Sequence, residues 1–401
     1  MTQMPRPLAL LAALVVAACT SPSPAPSAAP GPTASASAMS SPTPTAAAVP
    51  TPTAEPTPPP LTLAQLIGAK LMVAMDGTTP SADLLKRIRL GQVAGVILFG
   101  KNITTEAALI ALTKQLQAAA ASGGQPPLLI STDQEGGSVK RLPWAPPTLS
   151  PPKMGSLGSA TTARDQGQQT GEALLRDGIN VDLGPVADVP VTTSSFTYQQ
   201  GRTWSFSAAT TTTVADAFAA GLLDGRVLPT MKHFPGLGYA IPNTDVNVVT
   251  IKASKAQLDP GLDPYRGLVA QGGSSGPTVP LQLVMLSNAW YTAYDAANAA
   301  GWSHAIGTTL LRDELGFSGV TITDSLNGIA KAMGVTATSL SVKAAAAGTD
   351  MILLTGSEAS TSAAYTTLVA AATNGTIPRP LLEASYERIR SLRQDWLGGV
   401  P

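Results

Sequence analysis

Lys232 and His233 stand side by side at the end of a short apolar run, Val227-Leu228-Pro229-Thr230-Met231, and are followed at once by Phe234-Pro235-Gly236-Leu237-Gly238. A cation and an imidazole set ahead of a turn rich in Pro and Gly form a corner suited to binding or catalysis. The plainer alternative is a strand exit with a solvated lysine and a satisfied, half-buried histidine. Asp324 is the sharper second candidate. It ends the run Gly319-Val320-Thr321-Ile322-Thr323, and a carboxylate at a strand tip inside a pocket can serve as nucleophile, general base or metal ligand. Two histidines, a single cysteine and no acidic cluster leave no metal-ligating signature, and no cofactor is expected. A carboxylate facing Lys, Arg and His without a metal suits a polyhydroxylated ligand, because the cations hydrogen-bond hydroxyls and favour the ionised carboxylate.

The elements that must position these residues are short and apolar. Runs rich in Val, Ile and Leu recur at Leu71–Met75, Gly95–Phe99, Leu128–Thr132, Val181–Val189, Val227–Met231, Leu281–Leu286, Val320–Thr323 and Met351–Leu354. Most are continuously apolar, as parallel strands buried on both faces are. Helical stretches lie between them: Thr104–Ala121, Thr162–Asp177, Ser207–Asp224, His304–Leu315 and Leu340–Ala347, each closing on glycine, with a further start at Ser254 and Gln257 in capping-box spacing. Eight strands alternating with helices over about 340 residues predict an α/β fold, a single (β/α)8 TIM-type barrel. A doubly wound sheet would use fewer strands, and the nearest dinucleotide-type turn, at Gly236-Leu237-Gly238, lacks its third glycine. A barrel keeps its chemistry at the C-terminal strand ends. Those ends here are Asp76, Lys101-Asn102, Asp133, Asp188, Lys232-His233, Ser287-Asn288, Asp324 and Thr355. In a chain with only 12% charged residues, their joint occurrence points to one pocket.

Ahead of the barrel, residues 1–18 carry one basic side chain, Arg6, and then an uncharged stretch, Leu8–Ala18. That is too short to span a bilayer and fits an export signal. Val16-Ala17-Ala18-Cys19 is similar to a bacterial lipobox, so Cys19, the only cysteine, is expected to be lipidated and to anchor the chain outside the cytoplasm. Residues 19–60 are almost entirely Ser, Pro, Ala and Thr, a composition that reads as a tether. The folded domain is expected over 61–401. Zero net charge gives no basic face for nucleic acid, and the membrane is expected to be met through the lipid anchor only.

Five segments are quoted together because their order is specific: Gly95-Val-Ile-Leu-Phe-Gly-Lys-Asn-Ile103, Asp133-Gln-Glu-Gly-Gly137, Lys232-His-Phe-Pro-Gly236, Leu311-Arg-Asp-Glu-Leu-Gly-Phe-Ser-Gly-Val320 with Asp324, and Ala347-Gly-Thr-Asp-Met-Ile-Leu-Leu354. They resemble glycoside hydrolase family 3, and within it the single-domain β-N-acetylhexosaminidase branch. The resemblance implies a retaining hydrolase of terminal β-linked sugars, with N-acetylglucosaminides of cell-wall origin as the leading substrate class. It implies Asp324 as the nucleophile, forming a covalent glycosyl-enzyme, and Asp133, Arg141, Lys232 and His233 as ligands of sugar hydroxyls. Arg202, in Gly201-Arg-Thr-Trp-Ser-Phe206, matches a further sugar-binding arginine, though its flanks diverge.

The sequence also departs from the family pattern. The branch has Lys-His-Phe-Pro-Gly-His-Gly, four residues, then Asp-Ser-His, whose last histidine is the acid/base. Here Leu237 replaces the second histidine, and Asn243-Thr244-Asp245 occupies the Asp-Ser-His positions. Ser138 stands where the family usually has Arg. Asp245 is then either the acid/base, a chemically sensible swap since retaining glycosidases use two carboxylates about 5–5.5 Å apart, or an ordinary loop cap in a site that only binds a glycan or hydrolyses only substrates with good leaving groups. A β-glucosidase of the same family is a further alternative. Trp144, Trp290, Tyr291 and Trp302 fall in expected loops, where they would either stack on sugars or plug the barrel rim.

Overall fold

The computed structural model describes residues 60–269 and 282–397. The export signal, Cys19, nearly all of the tether and Leu281 lie outside those residues. Eight parallel strands form the wall of a barrel: β1 Leu71–Ala74, β2 Gly95–Ile97, β3 Leu129–Thr132, β4 Val181–Asp182, β5 Leu228–Phe234, β6 Leu283–Leu286, β7 Val320–Thr323 and β8 Ile352–Leu354. Their hydrogen-bonded order is β7-β6-β5-β4-β3-β2-β1-β8. The two free edges meet through a parallel bridge between Ile322 and Met351, where Thr323 N donates to Met351 O at 3.1 Å and Met351 N to Thr321 O at 2.8 Å. Each expected strand is present and the barrel closes.

Most expected strands are trimmed by one or two residues, and two differ more in extent. Only Val181–Asp182 of Val181–Val189 forms a regular strand; beyond it the Gly184 and Pro185 carbonyls still accept from Thr230 N and Lys232 N, and Val186 pairs with Lys232 as an isolated parallel bridge. Conversely, β5 does not stop at Met231: Lys232 pairs with Met285 and Phe234 with Leu286, so Lys232 and His233 are strand residues rather than a following corner. Helices at Leu63–Ala69, Ala82–Arg89, Leu326–Ala332, Glu358–Thr373 and Arg379–Ser391 complete the alternation.

Packing follows the sequence pattern. Leu109, Leu112 and Leu116 recur three and four residues apart on the helix Glu106–Ser122 and are buried beneath it. Met72, Ile97, Leu129, Leu228, Met285 and Ile322 fill the barrel, and Ile389, Leu392 and Leu397 join that cluster from the C-terminal segment. The helices Ala160–Arg176 and Ala208–Asp224 touch backbone to backbone: a Cβ on Gly167 would lie 2.2 Å from Phe218 O, and one on Gly221 only 2.1 Å from Arg164 O. These two helices flank β4, which leads on to Asp188, and β5, which carries Lys232 and His233.

The N-terminal end of the barrel is held by ions. Asp350, fully buried, accepts from Arg388 at 2.7 Å, Arg312 at 2.5 Å and the Thr321 amide at 2.8 Å, while Lys70 donates to Thr349 O at 2.8 Å and Ser385 Oγ at 2.9 Å. Burial, only partly offset by Asp350, pushes the Lys70 ammonium down to about 8. Arg312 and Asp350 belong to two of the motifs quoted above, and this face of a barrel serves stability. Asp350→Asn keeps the shape but strands three cations. It is expected to destabilise the fold by about 3–5 kcal/mol, read as a lower denaturation midpoint, with kcat/KM per folded molecule unchanged.

Candidate active site

The C-terminal strand ends surround a cavity of about 240 Å³ that gathers Asp133, Arg141, Arg202, Lys232, His233, Asp245 and Asp324. The seven residues expected to act on or bind the ligand therefore meet in one place, whereas of the other strand ends Thr355 lines the cavity and Asp76, Lys101, Asn102, Asp188, Ser287 and Asn288 do not. A larger concavity of about 350 Å³, beside Leu397 at the other end, is lined by no ionisable side chain.

Lys232 is the hub. Its Nζ lies 2.9 Å from Asp133 Oδ1 and 2.7 Å from Glu135 Oε1. Burial opposes its charge, but the two carboxylates outweigh that and raise it above the ordinary lysine value. Arg141 reaches Asp133 Oδ2 at 3.3 Å. Arg202 clamps Glu135 with two bonds of 2.8 Å, the bidentate geometry that guanidinium favours. Burial alone would raise both acids. Lys232 and Arg141 overcome it at Asp133, and Arg202 and Lys232 hold Glu135 far below the usual carboxylate range. Asp133 and Glu135 are thus permanent anions whose charge is matched inside the cavity wall.

His233 is oriented from behind. Its Nδ1 lies 2.9 Å from Asp188 Oδ2, while Asp188 Oδ1 accepts from the His233 and Leu237 amides at 3.2 and 2.8 Å. With Nδ1 facing a carboxylate, the ring turns Nε2 to the cavity. The His-bearing turn and the ring are therefore fixed by one buried acid.

Asp324 is held differently. Oδ1 accepts from the Ser325 amide at 2.7 Å, and Oδ2, although buried, has no hydrogen-bond partner among the described residues. Burial first, then the negative charge of Asp245, raise the Asp324 carboxyl to about 6, against the pull of His233 and Lys232. The expectation that nearby cations dominate its ionisation is corrected in that respect: desolvation and the second carboxylate win, yet the group is still mostly ionised at neutral pH. Asp245 does not cap its own turn with its carboxylate. Its amide donates to Asn243 Oδ1 at 2.8 Å, so Asn243 is the cap, and the Asp245 side chain lines the cavity.

Several positions have other duties. Asn102 ties Phe99 N, Met75 O and Gly77 O together, and Asp76 exchanges bonds with the end of the helix starting at Glu358. Ser287 meets Tyr291. None of the four aromatics singled out lines the cavity. Trp290 and Trp302 pack edge to face at 5.4 Å, Tyr291 is buried with its hydroxyl on Gly236 O, and Trp144 donates to Asp177. Phe99 is the aromatic in the wall. Glu135 and Asp188 are the site acids to which sequence reasoning gave no role. Glu135 lies inside the quoted Asp133–Gly137 motif, and Asp188 among the strand ends.

The family model for the glycosyl hydrolase family 3 N-terminal domain matches residues 62–392. An uncharacterized secreted glycosyl hydrolase from Arthroderma benhamiae is 33% identical over 347 residues, covering 83% of this chain and 94% of that protein. A glycoside hydrolase family 3 beta-N-acetylglucosaminidase from Paenibacillus superposes with a TM-score of 0.77 at 30% identity, over 85% of this chain and 64% of that one. This chain therefore spans slightly less than two thirds of the Paenibacillus protein. A beta-N-acetylhexosaminidase from Beutenbergia cavernae superposes with a TM-score of 0.74 at 29% identity, over 83% and 99%. A barrel by itself hosts many activities, but a family model running through almost every described residue narrows them to one kind: the chain belongs to glycosyl hydrolase family 3 and is a glycosidase.

Proposed function

We propose that this chain is a retaining exo-hydrolase of β-linked N-acetylglucosaminides, exported and anchored outside the cytoplasm through a lipid on Cys19. The observation that carries the mechanism is the pairing of Asp324 and Asp245 in one cavity, contributed by different strand ends, with one Asp324 oxygen unpartnered. Asp324 attacks the anomeric carbon as the carboxylate. Asp245 gives its proton to the departing glycosidic oxygen, leaving an α-glycosyl ester on Asp324. Asp245, now ionised, takes a proton from water, and the water oxygen displaces Asp324. Two inversions leave the β anomer.

Asp133, Arg141, Lys232 and His233 hold the sugar hydroxyls, while Glu135 and Asp188 fix Arg202, Lys232 and the His233 ring. The N-acetylglucosaminide assignment draws on the printed activities of the Paenibacillus and Beutenbergia proteins. A cell-wall origin for the substrate and the lipid anchor draw on the export signal and Cys19, and export itself also on the Arthroderma relative described as secreted.

Proton NMR of an aryl β-N-acetylglucosaminide during early turnover tests the stereochemistry. The β anomer of the free sugar is expected first, with the α anomer growing in only by mutarotation. An α anomer at the outset means inversion, and no release at all means a glycan binder.

A further inference from the structure

The loop that carries Asp245 spans residues 241–248. Among the described residues, every hydrogen bond made by residues 241–248 is to another of the same residues: Asp245 N to Asn243 Oδ1 at 2.8 Å, Val246 N to Asn243 O at 3.4 Å and Asn247 Nδ2 to Asn243 O at 2.9 Å. Ile241, Val246 and Val248 are exposed, and only Thr244 is fully buried. Something else must set how near this loop comes to Asp324.

That contact is at Gly328. It lies in the helix Leu326–Ala332, four residues after Asp324, and a Cβ placed on it would sit 2.1 Å from Asp245 O. Real Cβ atoms essentially never come within 3.0 Å of such a neighbour, so any side chain must move the loop by about 0.9 Å or more. The loop is the side that gives way, since Leu326, Ile329 and Ala330 anchor the helix in the core while residues 241–248 hydrogen-bond, among the described residues, only with one another. Aspartate has one of the shortest acidic reaches, so its backbone must come close for its carboxyl to meet a leaving group.

We propose that Gly328 is a positioning residue for the general acid: by offering no side chain, it forms the notch in which the Asp245 loop seats close to Asp324. The inference rests on Asp245 being the acid/base. A displacement near 1 Å of a catalytic group costs on the order of 10²-fold. It should fall on substrates that need protonation of the leaving group, and little on those that do not.

The test uses the full chain with Gly328→Ala, Asp245→Asn, Asp245→Glu and the double variant Gly328→Ala/Asp245→Glu. Gly328→Ala is expected to lose about 10²-fold in kcat/KM on a disaccharide and far less on an activated aryl glycoside. Its amides over residues 240–249 should exchange faster with deuterium. The longer Glu should return part of the disaccharide activity in the double variant, yet lower it when introduced alone. If Gly328→Ala keeps disaccharide activity while Asp245→Asn loses it, the positioning role is wrong and the acid assignment stands. If neither changes it, both are wrong. Should Gly328→Ala not fold, Asp245→Glu alone decides, because an unchanged or higher disaccharide rate contradicts a tightly seated loop.

Discussion

Asp324→Asn is expected to lower kcat/KM for any N-acetylglucosaminide by roughly 10⁴-fold or more, because the amide is isosteric but cannot form the glycosyl ester. The same substitution is expected to leave the fold intact or make it slightly more stable at neutral pH. The sign follows from linkage. Burial and Asp245 raise the Asp324 carboxyl to about 6 in the folded chain, above its unfolded value of 3.8. The folded state therefore binds more protons between those values, and stability falls as pH rises through that window. Above it the full cost of a buried charge is present, and Asn removes that cost. Thermal denaturation of both proteins at pH 5 and pH 8 measures this: the variant's advantage should be larger at pH 8. A loss of activity accompanied by a clearly lower midpoint at both pH values would instead make Asp324 a structural residue.

Asp245→Asn is expected to separate substrates by leaving group. A disaccharide needs a proton on its departing oxygen and should lose about 10²–10⁴-fold in kcat/KM. An activated aryl glycoside does not need that proton, so its kcat/KM should change little. Its kcat and KM should both fall, because the glycosyl-enzyme then waits for a water that nothing deprotonates. Azide, an anion that needs no general base, should restore kcat. The pH profile carries an independent signature. On the activated aryl glycoside, which needs only the ionised nucleophile, the wild-type acidic limb of kcat/KM is expected near pH 6, where the carboxylate pair loses its last proton. Removing the Asp245 charge lowers the Asp324 carboxyl and moves that limb to lower pH. Equal losses on both substrates, with the limb unmoved, would remove Asp245 from the mechanism.

Much of this is legible in the sequence, for a physical reason. Parallel strands covered on both faces must be continuously apolar, so runs such as Val320–Thr323 announce themselves, and the polar residue that follows each run marks a strand tip. The helix Glu358–Thr373 was silent because it is Ala, Ser and Thr, with few large side chains to mark a buried face. The extent of β5 was missed because Lys232 and His233 look like strand-ending residues. They can remain in the ladder because Asp133, Glu135 and Asp188 satisfy them inside the barrel. The aromatics misled for the opposite reason: Trp290 and Trp302 satisfy each other. Gly328 carries no side-chain chemistry to read, and its role is visible only as the space that Asp245 O occupies.

The central claim is that Asp324 becomes covalently glycosylated. Mass spectrometry of the Asp245→Asn chain, quenched by acid during turnover of an activated aryl N-acetylglucosaminide, addresses it directly, since that variant should accumulate the intermediate. One N-acetylglucosaminyl adduct is expected, on the peptide containing Asp324, absent from Asp324→Asn and discharged by azide. An adduct on another residue, or turnover that proceeds with no adduct and yields the α anomer first, would contradict the account.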